Sequence, residues 1–265
     1  MKSSLLLWVR TLLIIGGSLA IYVAAALLVG RITGDAVAGA AFAAVIVTVL
    51  ALGYRRATIG SFRSPAPNPF ARSGLFWTLA LAALICSWHL GEGLASRVED
   101  LWGSAGAAEL AETKLASPVW LLIVTVLVLA PVGEEALFRG IVYPALRARL
   151  PILLSALVSA SLFAIMHGNT PQFVLVFTFG IVLALVYEIT QRLWPVIVMH
   201  IFFNLTSSFA PRVFEDQPAG PLSSACWLAL TMLSIWALLR GCAMTAAPAA
   251  DHTGSEEPEG VRGGT

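Results

Sequence analysis

Long apolar stretches separated by short polar segments occupy most of the chain. Apolar runs of about 17–25 residues have the length that crosses the ~30 Å hydrocarbon core of a membrane as helices. We distinguish eight such stretches, at approximately residues 8–30, 36–53, 74–91, 118–145, 151–167, 172–188, 195–210 and 222–240. The pattern predicts an all-α fold, a polytopic transmembrane helical bundle with about eight spans.

The composition indicates the same class of protein. Of the 265 residues, 58% are hydrophobic and 12% are charged, whereas soluble domains carry about 25% charged residues. The net charge of +1 lacks the basic excess of nucleic-acid-binding proteins, so we expect contact with the lipid bilayer and not with nucleic acid. Residues 1–242 form one predicted transmembrane domain. Segment 243–265 is rich in Ala, Pro, Gly and acidic residues, which predicts a disordered tail.

The distribution of positive charges predicts the orientation of the spans. Segment 54–73 carries four arginines and no acid, whereas segment 92–117 carries five acidic residues. Cytoplasmic loops are enriched in Lys and Arg, so segment 54–73 is predicted to be cytoplasmic. Alternating sides from there places eleven of the 16 Lys and Arg residues inside, four outside and Arg139 within a span. We therefore expect a multi-pass protein of the cell (inner) membrane with both termini in the cytoplasm.

Several polar side chains fall where lipid would make them costly, by about 2.5–3.5 kcal/mol each at a helix centre, and such residues are functional candidates. They are Glu134, Glu135, Arg139 and His167, joined by His200 and Asn204 near the end of a span. Three pairs are spaced i,i+4 and each projects from one helix face: Glu135/Arg139, Phe163/His167 and His200/Asn204. His89 and Glu92 fall at the outer end of the third predicted span, where we expect them to be interfacial.

The two adjacent glutamates predict two different roles. Neighbouring residues point about 100° apart around a helix, so Glu134 and Glu135 face different surroundings. Glu135 faces Arg139, and an ion pair between them would neutralise both charges and support the helix. Glu134 has no obvious cationic partner on its own helix and is covered by Phe138, which suits a carboxylate that takes and returns protons. Upstream, Pro131 and Gly133 are expected to interrupt the helix and admit water.

These residues resemble the signatures of a known family. The run EEALFR at 134–139 is similar to EExxxR, FAIMH at 163–167 to FxxxH, and HIFFN at 200–204 to HxxxN. All three occur in this order in the CAAX protease and bacteriocin-processing family of intramembrane glutamic endopeptidases. The resemblance covers about residues 118–210. It implies a membrane-embedded endopeptidase that needs no metal and no cofactor and acts on a membrane-embedded or membrane-anchored protein or peptide.

The resemblance also implies a role for each matched residue. Glu134 and His167 would activate the attacking water, while His200 and Asn204 would stabilise the oxyanion. Glu135, Arg139, Phe138 and Phe163 would support this site. Peptide hydrolysis requires a base, an acid for the leaving amine and donors aimed at the oxyanion, and this set supplies them. The predicted reaction is hydrolysis of a peptide bond in a membrane-associated or lipid-modified substrate.

Other functions suit the same residues. Two imidazoles and a carboxylate, from His167, His200 and Glu134, would form a zinc site of a membrane metalloprotease, although no H-E-x-x-H motif is present. A proton-coupled carrier would also keep buried Glu, His and Arg residues. The lack of evident internal repeats counts against a carrier. A membrane scaffold that retains the fold without using the site is a third alternative.

The predicted spans place two of the candidate residues at different depths. Glu134 lies ~16 residues from the outer start of its span and His167 ~16 residues from the inner start of its own. Straight helices would then put them about 18 Å apart in depth. Contact requires tilt, a kink at Pro131 or a fifth span that begins below the surface. We expect Glu134 and His167 to approach within the reach of one bridging water.

Overall fold

Helices form all the regular structure in the part of the chain that can be described. The computed structural model describes residues 2–59, 66–103, 112, 116–209 and 220–245. The helices are α1 (Lys2–Thr33), α2 (Ala36–Ile59), α3 (Gly74–Trp102), α4 (Val119–Arg147), α5 (Ile152–Ile165), α6 (Thr170–Thr190), α7 (Leu193–Phe209) and α8 (Pro221–Thr245), with a 3₁₀ turn at Pro69–Arg72 before α3.

Each predicted apolar stretch coincides with one of these helices. Six of them, α1, α2, α3, α4, α6 and α8, are long and apolar enough to cross a membrane, while α5 and α7 are shorter apolar helices. The predicted all-α polytopic bundle is therefore confirmed. Helix α8 continues to Thr245, so the first three residues of the predicted tail are helical. The rest of that tail, residues 246–265, lies outside the described residues.

Helix α6 is the central helix of the bundle. All nine residues from Phe179 to Tyr187 are buried, whichever way their side chains point. A helix that is apolar all round is stable only when other helices surround it, and α3, α5 and α7 pack against this one. Gly180 permits the contact with α5, because a Cβ atom there would lie 3.1 Å from the Cβ of Ala160.

The outer helices present apolar side chains to their surroundings. Only 11% of the apolar segment of α1 is buried, against 72% for α6. Large apolar residues on α1, such as Leu5, Leu13 and Ile32, are each more than two-thirds exposed (68%, 69% and 75%). Water would make such a surface unfavourable, whereas lipid tails solvate it. The chain is an integral membrane protein.

Helix α4 contains two wide π-turns, Thr125–Leu129 and Phe138–Val142. Each ends two residues before a proline, namely Pro131 or Pro144. Proline has no N–H to donate and its ring crowds the preceding turn, so the helix widens there without ending. In the first turn Ala130 N–H donates to the carbonyl of Thr125, five residues back. The next donor in that register would be Pro131, which leaves the Val126 carbonyl without a helical partner.

Gly133 has a packing role that differs from the predicted helix interruption. Helix structure continues through it. A Cβ atom at Gly133 would come within 2.5 Å of the Cα and Cβ atoms of Ala44 on α2. The absence of a side chain therefore lets α2 and α4 approach closely, and the irregular backbone lies in the π-turns on either side.

Asp35 joins the start of α2 to the segment that precedes α4. Its Oδ1 accepts hydrogen bonds from the Ser117 hydroxyl at 2.7 Å and from the backbone N–H groups of Val37 and Ala38 at 2.8 and 3.1 Å. The Ser117 bond, helped by these two N–H groups, lowers the pKa of the Asp35 carboxyl. Because the folded pKa is lowered, this contact stabilises the fold above the ordinary pKa and weakens as acid protonates Asp35.

Candidate functional site

Glu135 lies at the centre of a buried polar cluster. Its Oε1 accepts a hydrogen bond from Arg139 Nη1 at 2.9 Å, and His200 Nδ1 lies 2.7 Å from the same oxygen. Glu135 and Arg139 are fully buried, and the His200 side chain is 4% exposed. As the carboxylate partner of the Arg139 guanidinium, Glu135 can only accept hydrogen bonds. His200 therefore carries a proton on Nδ1.

Arg139 connects three helices at this point. Its Nη2 donates to the Gly180 carbonyl of α6 at 2.7 Å. Its guanidinium carbon lies 5.2 Å from the centre of the Phe163 ring on α5. Phe163 packs edge-to-face on Phe138 of α4, with ring centres 5.2 Å apart. The four predicted supporting residues thus form one buried unit beneath the polar side chains described next.

Glu134 faces the other side of the His200 ring. Its Oε2 lies 3.7 Å from His200 Nε2, longer than a hydrogen bond but within the range of an ion pair. The Glu134 side chain is 17% exposed, whereas Glu135 is fully buried. The imidazole of His200 therefore stands between a buried carboxylate and a carboxylate that faces a cavity. The adjacent glutamates occupy different surroundings, as their separation around the helix requires.

His167 lies in the turn that follows α5. Its Nδ1 is 3.0 Å from the Phe163 carbonyl, which can only accept, so Nδ1 carries the proton. The next residue, Gly168, has a φ of +74°, a left-handed conformation that glycine adopts without strain. Asn169 then donates to the His167 carbonyl at 3.2 Å and begins α6. This turn holds the imidazole at the end of a short helix, with Nε2 as its basic nitrogen.

Asn204 contacts the irregular part of α4. Its side-chain Nδ2 donates to the Val126 carbonyl at 2.8 Å, the carbonyl that the π-turn and Pro131 leave without a helical donor. A carboxamide has two N–H donors, so this bond uses one and leaves the second for another acceptor. Asn204 lies one turn after His200 on α7, and it ties α7 to α4 on the same side of the bundle.

One cavity of about 520 Å³ brings the four predicted catalytic side chains together. Its polar lining includes Glu134, His167, His200 and Asn204, and its apolar walls come from α2, α4, α6 and α7. None of the four supporting residues lines it. Concave sites with a few converging polar groups and apolar walls are typical of binding and catalytic sites.

The predicted mismatch in depth disappears when both residues are measured from the same end of the bundle. Helix α4 has 29 residues and is about 43 Å long, more than the ~30 Å hydrocarbon core. Glu134 is 13 residues from Arg147, and His167 is 15 residues from Ile152, the start of the next helix. These separations correspond to about 20 and 22 Å. The two side chains therefore share a level, and their approach through one water stays a prediction.

Three residues at this site were not identified from the sequence as part of it. Glu92, for which the sequence predicts only an interfacial place, lines the cavity, ten residues before α3 ends at Trp102. Phe179 stacks on Phe203 at 3.9 Å and contacts the His200 ring at 5.2 Å edge-to-face. Phe179 and Phe203 are apolar residues in apolar helices, so the sequence gives no sign that they contact the site. Pro131, two residues after the π-turn ends, was the available signal that the Val126 carbonyl lacks a helical donor.

The arrangement can be compared with the requirements of a zinc site. Within residues 2–59, 66–103, 112, 116–209 and 220–245, no group of three or more His, Cys, Asp or Glu side chains is placed to hold a metal ion. Zinc sites need ligand atoms that converge at about 2.0–2.3 Å from one point. The set of Glu134, His167 and His200 does not form such a group in the described structure.

Comparison with known proteins concerns the same part of the chain as the three motifs. Residues 116–206 match the family described as "Type II CAAX prenyl endopeptidase Rce1-like". A Bacillus subtilis (strain 168) protein described as "Putative membrane peptidase YdiL" is 30% identical over 84 residues, which are 32% of this chain and 34% of that protein. The chain thus matches about a third of the length of this curated relative. No solved structure matches the chain significantly.

Proposed function

We propose that this chain is an intramembrane endopeptidase of the CAAX protease and bacteriocin-processing family. The family match over residues 116–206 and the similarity to a membrane peptidase support this proposal. It hydrolyses a peptide bond of a membrane-associated substrate with a water activated by glutamate and histidine. The observation that carries the proposal is the position of His200 between Glu134 and Glu135 beside a cavity that His167 and Asn204 also line.

Glu134 is the general base of the proposed reaction. Water enters the cavity beside the Glu134 carboxylate and the Nε2 atom of His167. Glu134 takes one proton from this water as the oxygen attacks the substrate carbonyl, and His167 orients the same water. The carboxylic acid formed on Glu134 then gives its proton to the leaving amine. Atoms balance, because the hydroxyl enters the new carboxyl group and one proton reaches the new amine.

His200 and Asn204 stabilise the oxyanion. The second N–H of the Asn204 carboxamide is a donor that needs no change of protonation state. His200 lines the cavity with its Nε2 atom beside Glu134, and it donates from Nε2 to the oxyanion when both ring nitrogens carry protons. Donors fixed in place before the charge develops are worth more in a site that excludes water. Glu135 and Arg139 hold His200 in this orientation without touching the substrate.

Asn204→Ala is expected to lower turnover by about 10²–10³-fold with a smaller effect on KM, because it removes a donor used mainly in the transition state. The measurement is a comparison of kcat and KM in lipid nanodiscs. Ser208→Ala is the matched control, since Ser208 lines the same cavity on the same helix and its loss should leave turnover within a few-fold of wild type. Equal loss in both variants would contradict the oxyanion role.

The cavity opens toward one end of the bundle. Its lining includes Ala36 and Val37 in the first turn of α2, Gln172 in the first turn of α6, and Ser208 near the end of α7. The opposite end carries a concentration of arginines, namely Arg55, Arg56, Arg72, Arg147, Arg149, Arg192 and Arg240. By the positive-inside rule the arginine-rich end is cytoplasmic. The site then accepts substrate segments from the extracytoplasmic side.

Cysteine labelling tests this orientation. In a background without the three native cysteines, Thr33→Cys at the cavity end should react with a membrane-impermeant maleimide added to intact cells. Ala148→Cys at the arginine-rich end should react only after the membrane is opened. Both positions are exposed, so accessibility does not separate them. Labelling of Ala148→Cys alone in intact cells would reverse the proposed orientation, and labelling of both would contradict the number of spans.

The proposed activity itself is tested with purified protein in nanodiscs and a mixture of apolar peptides of defined sequence. Mass spectrometry should detect new peptide termini that increase with time and with protein concentration. Empty nanodiscs prepared from the same host are the control for contaminating proteases. Equal cleavage in both preparations would contradict the proposed function.

A further inference from the structure

The ionisable side chains that line the candidate site are two carboxyl groups and two imidazoles. Among the described residues that line the cavity, Glu92 and Glu134 are the acids, His167 and His200 are the imidazoles, and neither Lys nor Arg is present. Glu134 has a proposed role in the reaction, whereas Glu92 has none. A carboxylate within a partly apolar cavity attracts cations strongly, because the surrounding low dielectric screens its charge less than water does.

We infer that Glu92 is a specificity residue that binds a cationic nitrogen of the substrate, a Lys or Arg side chain near the cleaved bond. This inference rests on the proposed peptidase function and names a chemical preference of its substrates. The carboxylate accepts a charge-assisted hydrogen bond from the ammonium or guanidinium group, while the apolar walls contact the rest of the peptide.

The backbone beside Glu92 is held firmly against the central helix. A Cβ atom on the preceding residue, Gly91, would lie 2.6 Å from the Leu175 carbonyl of α6. One turn before Glu92, Trp88 Nε1 donates to the Ser207 hydroxyl of α7 at 3.1 Å. These contacts fix α3 to α6 and to α7 within the turn that precedes Glu92. Binding a substrate cation therefore needs little rearrangement of the protein, which favours selectivity.

The hydrogen bond from Trp88 to Ser207 gives an approximate position for the bound cation along the substrate. Ser207 is seven residues after His200 on α7, a rise of about 10 Å toward the cavity mouth. An extended peptide covers about 3.3 Å per residue. Glu92 lies one turn, about 6 Å, beyond Trp88 on α3, so the cation that it binds belongs to a residue about five positions from the cleaved bond. A substrate that enters from the mouth presents this residue to Glu92 while its peptide bond reaches Glu134.

Peptide triplets that differ at a single residue test the inference. Each triplet carries Lys, Gln or Glu about five positions from a cleavage site, in an otherwise identical apolar sequence. Wild-type protein should cleave the Lys peptide with a kcat/KM about tenfold above that of the Gln peptide. Glu92→Gln should abolish this ratio by slowing the Lys peptide alone, and Glu92→Lys should favour the Glu peptide. Glu99→Gln, an exposed position on the same helix, should keep the wild-type ratio.

The outcomes separate this inference from the proposed function. Cleavage of all peptides without preference, or a Glu92→Gln variant that slows Lys and Gln peptides equally, would overturn the role of Glu92 and leave the peptidase function standing. A binding measurement tests the role of Glu92 if no cleavage is detected. If wild-type protein cleaves none of the peptides, fluorescent Lys and Gln peptides are bound to His167→Ala protein in nanodiscs. Tighter binding of the Lys peptide that disappears with Glu92→Gln supports the inference, and equal binding overturns it.

Discussion

Glu134→Gln protein is expected to fold normally and to lose peptide hydrolysis by about 10³-fold or more. Glutamine keeps the size and polarity of the side chain but cannot accept a proton from water, and general base catalysis contributes about 10²–10⁴-fold. The side chain is partly exposed to the cavity and lies 3.7 Å from His200 Nε2. The substitution therefore removes a charge without leaving a buried ion unpaired, so stability should change little.

The matched control for this variant is Glu99→Gln, an exposed glutamate on α3, which should retain wild-type rates. Both variants are compared with wild type in the same nanodisc preparation, with the rate of peptide cleavage and the unfolding temperature measured together. Activity near the wild-type level in Glu134→Gln would reject Glu134 as the base. Lost activity together with a lowered unfolding temperature would assign Glu134 a structural role.

Arg139→Met is expected to destabilise the protein by about 3–5 kcal/mol, because it leaves the buried Glu135 carboxylate without its cation. The side chains of Arg139 and Glu135 are fully buried, and Arg139 Nη1 lies 2.9 Å from Glu135 Oε1. The variant also removes the bond to the Gly180 carbonyl. For a chain of this size the loss corresponds to a fall of about 10 °C in the unfolding temperature. In a Cys226→Ser background, which removes the exposed cysteine, a thiol-reactive dye reports unfolding, since Cys86 and Cys242 are buried.

Two variants control for the loss of charge and of side-chain volume. Arg147→Met breaks an ion pair with Glu188 in which the arginine side chain is 37% exposed, and such pairs contribute about 1 kcal/mol or less. The double variant Glu135→Gln/Arg139→Met removes both buried charges and should recover part of the stability lost in Arg139→Met. Unfolding of Arg139→Met at the wild-type temperature would contradict the supporting role of the pair.

The helical bundle could be predicted from the sequence because lipid imposes a simple requirement. Backbone polar groups must be satisfied within each span, so a long apolar run such as that of α6 has few alternatives to a helix. The i,i+4 spacing of Glu135 and Arg139 likewise predicted an ion pair that the structure contains. Both inferences use contacts within a single helix, which local sequence determines.

Contacts between helices were less accessible to the same reasoning. The pattern could not indicate that His200 approaches Glu135, 65 residues away, because nothing in a helix period specifies its neighbours. The interfacial place predicted for Glu92 did not indicate that this residue also lines the cavity, because the packing of α3 against α6 and α7 brings it there. The depth of Glu134 was estimated from the wrong end of a helix that is longer than the hydrocarbon core. Packing, not propensity, determines each of these positions.

The most direct measurement of the central claim is cleavage of one defined peptide by purified wild-type protein with a strong chelator and then with added zinc. A water activated by Glu134 and the histidines needs no metal ion, so we predict the same rate with and without the chelator. Glu134→Gln should be inactive under every condition. Loss of wild-type activity in the chelator and its recovery on addition of zinc would contradict the proposed mechanism and assign the reaction to a zinc site.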